Sequence, residues 1–310
     1  MNKIEFKPPM INGVSASQVF LPTNKDQTIQ TVFQYLCKHF AHILEQEWRH
    51  RFTEGLIYDS TGQILSVDSP YQANTHIFYY RFLVHEIHVP FQHEILFENE
   101  HLLIVDKPHF LTISPTGQYV QETLLVRLKN QTGIEELSPI HRLDRETAGI
   151  VLFSKKAEVR NAYQALFAKR QVQKTYHAIA AYDPELYFPQ TLNLCMEKGQ
   201  PFYTMQINPC GEPNSETLIE CLEHNQTWAK YQLKPHTGKQ HQLRVHLNYL
   251  GIPIQNDPFY PTVQHKADDD FSAPLQLLAK SIEFTDPINS QKICIESTFD
   301  LSLSYQSNDK

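Results

Sequence analysis

The chain has 310 residues, enough for one large domain and a smaller companion, and its 41% hydrophobic and 20% charged content is that of an ordinary globular protein. No apolar run approaches membrane-spanning length, and five widely spaced cysteines without a Cys-x-x-Cys pair exclude a disulfide framework and a zinc site of the usual kind. A net charge of −7 argues at first against a nucleic-acid partner.

Residues Met1 to Met10 hold no apolar core for a signal peptide, so a cytoplasmic protein is expected. Phe33, Leu36 and Phe40 recur at helical spacing, and a second helix is predicted from Glu45 to Thr53, closed by Gly55. Leu56–Tyr58 and Gln63–Leu65 flank the turn Asp59-Ser60-Thr61-Gly62 as a hairpin, and Ile77 to Val84 reads as a further strand. Two helices followed by a small curled sheet is the layout of S4-type RNA-binding domains; a capping subdomain without a ligand is the alternative. With a linker at Val89-Pro90-Phe91, residues 1–90 are expected to form a small N-terminal module and 91–310 the main domain.

In the main domain, Ile95–Phe97 and Leu102–Val105 predict an antiparallel hairpin, and Leu124, Leu125 and Leu128 mark a helix over Gln121–Asn130. The run Ile150–Phe153 has the length of a buried strand, Glu158–Arg170 is helical, and Lys174–Ala180 and Trp228–Leu233 are strands. Thr237 and Gln240 form a capping box that would start a helix carrying Leu243, Leu247 and Leu250, with Arg244 near its middle, ended by Gly251 and Pro253. Leu275, Leu277 and Ala279 alternate as in a strand. Many strands with few helices between them predict a mixed α+β domain on mainly antiparallel sheet.

The charge is unevenly spread. His101 to Ala180 holds eleven Lys and Arg against seven Asp and Glu. Trp228 to Leu250 holds Lys230, Lys234, Lys239 and Arg244 with no acid, beside His236, His241 and His246. A basic face on an acidic protein suits a polyanion. No metal is expected: on a helix His241 and His246 would diverge by about 140°, and no His-Glu-x-x-His pattern occurs. Gly-x-Ser-x-Gly and the glycine-rich nucleotide loops are missing as well.

The segment His141-Arg142-Leu143-Asp144-Arg145-Glu146-Thr147-Ala148-Gly149 ties a charged loop to the Ile150 strand. Flanking cations favour the carboxylate form of Asp144, a nucleophile or base. A surface ion pair is the bland alternative. Glu146 is too near in sequence to oppose Asp144 across a sugar, as a glycosidase would need. Tyr176 on a strand and Arg244 on a helix share the basic sections, each with an ordinary structural reading beside the functional one.

The segment from His141 to Gly149 resembles the His-Arg-Leu-Asp-x-x-Thr-Ser-Gly signature of the RluA-type RNA pseudouridine synthases. In the same order, Leu103–Pro108 resembles the family's opening strand with its Lys-Pro end, and Lys174–Ala178 its Lys-x-Tyr-x-Ala strand. His236–His246 resembles its Thr-Gly-Arg-x-His-Gln-Ile-Arg-x-His helix, Gly251–Asp257 its Gly-x-Pro-Ile-x-Gly-Asp, and Leu277–Ala279 its Leu-His-Ala. Ala148, Lys239, Asn256 and Leu278 depart from the pattern, as does Pro261 after Tyr260. The resemblance implies a pseudouridine synthase-like catalytic domain, an isomerase converting uridine to pseudouridine in ribosomal or transfer RNA without a cofactor. Asp144 would act on the nucleotide, Arg244 would orient Asp144, and Tyr176 would stack near the uracil and relay a proton. Arg142 would fill the space of the flipped uridine, with His141, Lys107, Lys174, Lys239 and His241 as further RNA contacts. A monomer free of membrane is expected. The rivals are a non-catalytic RNA-binding protein on the same fold and a carboxylate-dependent nucleoside or sugar hydrolase.

Overall fold

The computed structural model describes residues 6–24, 28–81, 83 and 85–303. The start of the Met1–Met10 stretch, and Phe82 and Val84 of the anticipated Ile77–Val84 strand, lie outside them. The chain divides into two compact units: residues 1–86 with 115–121 and 126–135, and residues 87–114, 122–125 and 136–310.

The first unit contains β1 (Ser17–Leu21), α1 (Val32–His39), α2 (Glu45–Thr53), β2 (Ile57–Asp59) and β3 (Thr75–Tyr79). Helix α1 starts where it does because Thr31 and Gln34 form a capping box. The sequence places both helices ahead of the sheet. The structure instead puts β1 before them, in an antiparallel sheet ordered β1-β3-β2. Strand β1 escapes a sequence reading because Ser17-Gln18-Val19-Phe20-Leu21 is short and only Val19 and Leu21 are buried. The Gln63–Leu65 arm of the anticipated hairpin is reduced to a bridge between Tyr58 and Ile64.

The chain continues with β4 (Glu94–Glu98), β5 (Leu102–Lys107), α3 (Leu124–Thr132), β6 (Ser138–Pro139), β7 (Ala148–Ser154), α4 (Ala157–Ala168) and β8 (Gln173–Ala181). There follow β9 (Gln190–Leu194), β10 (Met196–Lys198), β11 (Met205–Ile207), β12 (Ser215–His224), β13 (Trp228–Pro235), α5 (Gln242–Tyr249), β14 (Leu277–Thr285) and β15 (Lys292–Glu296). The main sheet runs β4-β5-β7-β14-β8-β13-β12-β9, with β15 on β14 and β6 on β7. All its pairs are antiparallel except β7 with β14. The architecture is therefore mixed, mainly antiparallel α+β.

Two apolar cores position the site. Val159, Tyr163 and Leu166 of α4 pack with Ile104, Ile150 and Leu152 of β5 and β7. Leu243 and Leu247 of α5 pack with Ala178, Tyr231 and Leu233 of β8 and β13. Burying each of these leucines stabilises the docking by roughly 1.5–3 kcal/mol. Helix α5 ends as the sequence suggests. Gly251 adopts φ +80, and the amides of Gly251 and Ile252 bond to the carbonyls of Asn248 and Leu247, closing a Schellman motif.

Its start differs from expectation. The helix begins at Gln242 with His241 as N-cap, not at Thr237, and Arg244 therefore lies in the first turn. The Gln242 side chain explains the shift. Its Oε1 accepts from Thr237 Oγ1 (2.7 Å) and from the Lys239 amide (3.0 Å), so these donors serve a loop ahead of the helix.

Candidate active site

Asp144 stands in the loop between β6 and β7, and β7 is buried along its whole length. The parallel pairing of β7 with β14 is short, Ala148 with Leu278 and Gly149 with Ala279. Gly149 has φ +108, and a Cβ there would meet the Ala279 backbone, its nitrogen at 2.7 Å and its carbonyl oxygen closer still. Only glycine lets the two strands approach so closely. The Thr-Ala-Gly that follows Asp144 is thus the joint that brings the loop against β14.

Below the loop lies Lys107, at the end of β5 and fully buried. Its Nζ donates to the carbonyls of Pro108 (2.9 Å), Leu111 (2.8 Å) and Arg145 (3.1 Å). Three acceptors match the three donors of an ammonium, while burial pulls the pKa down to about 7. Lys107 is therefore not an RNA contact, as the sequence suggests, but the post on which the Asp144 loop is fixed. His141, by contrast, is only half-buried and lines a cleft beside Arg142 and Lys174. Its Nε2 accepts from the Leu152 amide (3.1 Å) and its ring stacks on Phe167 at 4.7 Å, with burial lowering its pKa to about 4. A neutral ring so committed supports β7.

Arg244 reaches Asp144 from α5. Its Nε and Nη2 donate to the two carboxylate oxygens of Asp257 at 2.8 and 2.6 Å, and its Nη1 donates to Asp144 Oδ2 at 3.3 Å. A guanidinium is planar, so the two-toothed grip of Asp257 fixes the direction of the third nitrogen. Arg244 is only 1% exposed whereas the Asp144 side chain is 35% exposed, so one end of the array is sealed and the other open. Phe259 and Tyr260 cover the guanidinium at 4.9 and 5.4 Å. The neighbouring arginines are not what holds Asp144. Arg145 turns to Glu146 Oε1 (2.7 Å) and the Asp268 carbonyl (3.1 Å). Arg142 is exposed at the cleft rim.

His241 lines the same cleft as Asp144. It is buried, with φ +54 in the left-handed region that non-glycine residues seldom occupy. That backbone points Nε2 to 3.9 Å from Asp144 Oδ2, while Nδ1 pairs with the Tyr260 hydroxyl at 2.9 Å. Burial brings its pKa down to about 4, so it is neutral at ordinary pH. Sequence reading also misses Asp257 as a partner of Arg244, although Asp257 falls inside the Gly251–Asp257 motif that could have pointed to it. Asn256, where glycine is usual, takes φ +63 and donates Nδ2 to the Pro274 carbonyl (3.1 Å). Asparagine tolerates that backbone, so the departure is conformationally neutral.

Tyr176, on β8, lines with Asp144 a cleft of about 290 Å³ whose wall includes Arg142, Lys174, Lys239 and Leu277. Burial first, and the Asp144 charge second, raise the Tyr176 phenol to about 12, so it keeps its proton. Arg142, Lys174, Tyr176 and Lys239 also line an adjoining cleft of about 620 Å³, together with Arg170, His236 and Asn214. No carboxylate lines this second cleft. Lys155 and Lys156 are paired with Glu98 and Glu100, each at 2.6 Å.

The sequence profile of the RNA pseudouridylate synthase family matches residues 101–249. The ribosomal large subunit pseudouridine synthase C of Vibrio cholerae is 33% identical over 221 residues, covering 68% of this chain and 67% of that one. Human pseudouridylate synthase RPUSD2 is 35% identical over 173 residues, 54% of this chain. The chain spans only 31% of that protein's length, and 30% of the mouse counterpart's. Among solved structures, human RNA pseudouridylate synthase domain containing 1 superposes with a TM-score of 0.54 at 22% identity, over 66% of this chain and 83% of that one.

Proposed function

The chain belongs to the RNA pseudouridylate synthase family, and from that premise we propose that it isomerises uridine to pseudouridine within ribosomal or transfer RNA. The observation that carries the proposal is the Asp144–Arg244–Asp257 array, sealed at Asp257 and open at Asp144 beside Tyr176. In the reaction the C1′–N1 bond breaks and a C1′–C5 bond forms, C5 loses its hydrogen and N1 gains one. Nothing is oxidised or reduced and no group leaves the nucleotide, so the chemistry calls for no cofactor.

Asp144 is the group that acts on the bound nucleotide, its carboxylate aimed by Nη1 of Arg244 and flanked by neutral His241. Tyr176 packs beside the uracil as a protonated phenol, able to pass a proton along without itself becoming charged. A uridine stacked in RNA must leave its stack to reach Asp144, at a cost of about a few kcal/mol. Arg142, at the rim shared by both clefts, is placed to stack in the vacated space. Lys174, Lys239 and Arg170 supply positive charge where the neighbouring phosphates would run.

The second unit carries the chemistry in this proposal, and the small N-terminal module serves as an accessory to RNA binding. Action as a monomer is part of the same reading. Cytoplasmic action is part of the same reading; no described helix is long and apolar enough to cross a membrane.

Asp144→Asn tests the assignment. Incubation of RNA from cells lacking the enzyme should yield new pseudouridine with the unchanged protein and none with the variant, whose circular dichroism should match. Turnover by Asp144→Asn near the unchanged rate would remove Asp144 from the chemistry.

A further inference from the structure

Strands β10 and β11 form a hairpin of their own, outside the main sheet, with Met196 opposite Ile207 and Lys198 opposite Met205. Its turn is tightly tied. The Gly199 amide donates to the Thr204 carbonyl (3.0 Å), and the amide and hydroxyl of Thr204 both donate to the Pro201 carbonyl (2.8 and 2.7 Å). The hairpin is also fastened to the wall of the Asp144 cleft. Gln240, which lines that cleft, donates Nε2 to the Tyr203 carbonyl (3.2 Å) and accepts from Lys198 Nζ (2.8 Å). From the other side, the Met205 amide donates to the Tyr260 hydroxyl at 2.9 Å.

On this rigid turn Phe202 is left 79% exposed. Its ring meets Tyr203 edge-on at 5.5 Å, Tyr203 meets Phe259 at 5.3 Å, and Phe259 lies over the Arg244 guanidinium at 4.9 Å. A ladder of aromatic rings thus runs from an open platform to the group that aims Asp144. Lys198 and Lys239 are exposed nearby, and the hairpin's only carboxylate, Glu197, is engaged by Gln206 and Asn208. An exposed ring on a fixed support beside cations is how single-stranded nucleic acid is gripped without base-specific hydrogen bonds.

We propose that the β10–β11 hairpin is a recognition element for the RNA substrate, with Phe202 stacking on an unpaired base close to the target uridine. The proposal rests on the RNA-modifying reading above. Folding leaves the Phe202 ring in water, and stacking on a base would remove that apolar surface from it. The aromatic ladder makes the platform part of the same packed unit as Arg244.

Steady-state kinetics of pseudouridine formation on RNA pooled from cells lacking the enzyme tests this. Phe202→Ala should raise KM about tenfold, the size expected for one lost base stack, with kcat held within about twofold. Phe202→Trp should restore KM. Tyr187→Ala, at an aromatic residue 86% exposed elsewhere, is the control and should change neither constant. An unchanged KM for Phe202→Ala would overturn the proposal. So would a concentration-dependent dimer, seen in sedimentation and lost in Phe202→Ala, because the platform would then be covered by a second copy. Absence of pseudouridine formation by the unchanged enzyme would instead overturn the functional reading on which the proposal rests.

Discussion

At the scale of single residues, Asp257 matters as much as the two groups it stands behind. It accepts from Arg244 twice and from the amides of Phe259 and Tyr260 at 2.8 and 3.2 Å, so it fixes the guanidinium and the turn that covers it. Asp257→Asn keeps the shape but leaves Arg244 buried with half of its counter-charge gone. Breaking one side of a buried pair costs about 3–5 kcal/mol. Urea denaturation of Asp257→Asn should show a loss of that order, with turnover falling even under conditions where the variant is fully folded. A variant of ordinary stability and activity would contradict the aiming role. Asp144, Tyr176 and Arg244 are legible in the sequence because each sits in a motif of fixed spacing. Lys107 and His241 are legible as special but not as buried. A cation in a sequence carries no sign of whether water or three carbonyls surround it, and only the fold reveals that Lys107 meets Pro108, Leu111 and Arg145.

At the scale of elements, the site depends on the junction of β7 with β14 and on the first turn of α5. The strands β5, β7, β8 and β13 announce themselves as apolar runs, and α5 by its leucines and Gly251. The start of α5 does not, because Thr237 and Gln240 satisfy the capping-box pattern while Gln242 outcompetes them through the loop. The junction is also invisible beforehand, since a parallel contact of two residue pairs leaves no periodicity. Gly149→Ala tests it. The left-handed φ and the clash with the Ala279 backbone should destabilise the protein by about 3 kcal/mol or more. Its melting temperature should drop by several degrees, and Asp144 should lose register with Arg244, so activity falls further than stability alone explains. Gly117→Ala is the comparison, with a left-handed φ of +53 but nothing within 4 Å of the added carbon. Equal effects of the two would mean that the close approach of β7 and β14 is not what Gly149 serves.

At the scale of the whole molecule, an acidic protein carries a cleft edged by cations, and its formal charge is a poor guide to its ligand because Lys155 and Lys156 are paired whereas Arg142 and Lys239 are exposed at the clefts. The same uneven burial predicts a response to acid. His109, His141, His241 and His246 all have pKa values lowered from 6.5 to about 4, burial being the first cause in each. Between those limits the unfolded chain binds more protons than the folded one, so stability falls as pH drops from 6.5 toward 4. Each histidine contributes a slope of up to about 1.4 kcal/mol per pH unit. Urea midpoints at pH 7, 5.5 and 4.5 should decline in that order, and a flat profile would contradict the neutral state of these four rings. The central claim, that Asp144 serves an exchange of the C1′–N1 bond for a C1′–C5 bond, is tested most directly with RNA carrying tritium at uracil C5. The unchanged enzyme should release tritium to water in step with pseudouridine formed, Asp144→Asn should release none, and no free uracil should appear. Binding of the RNA without tritium release, or liberation of free uracil, would contradict the account.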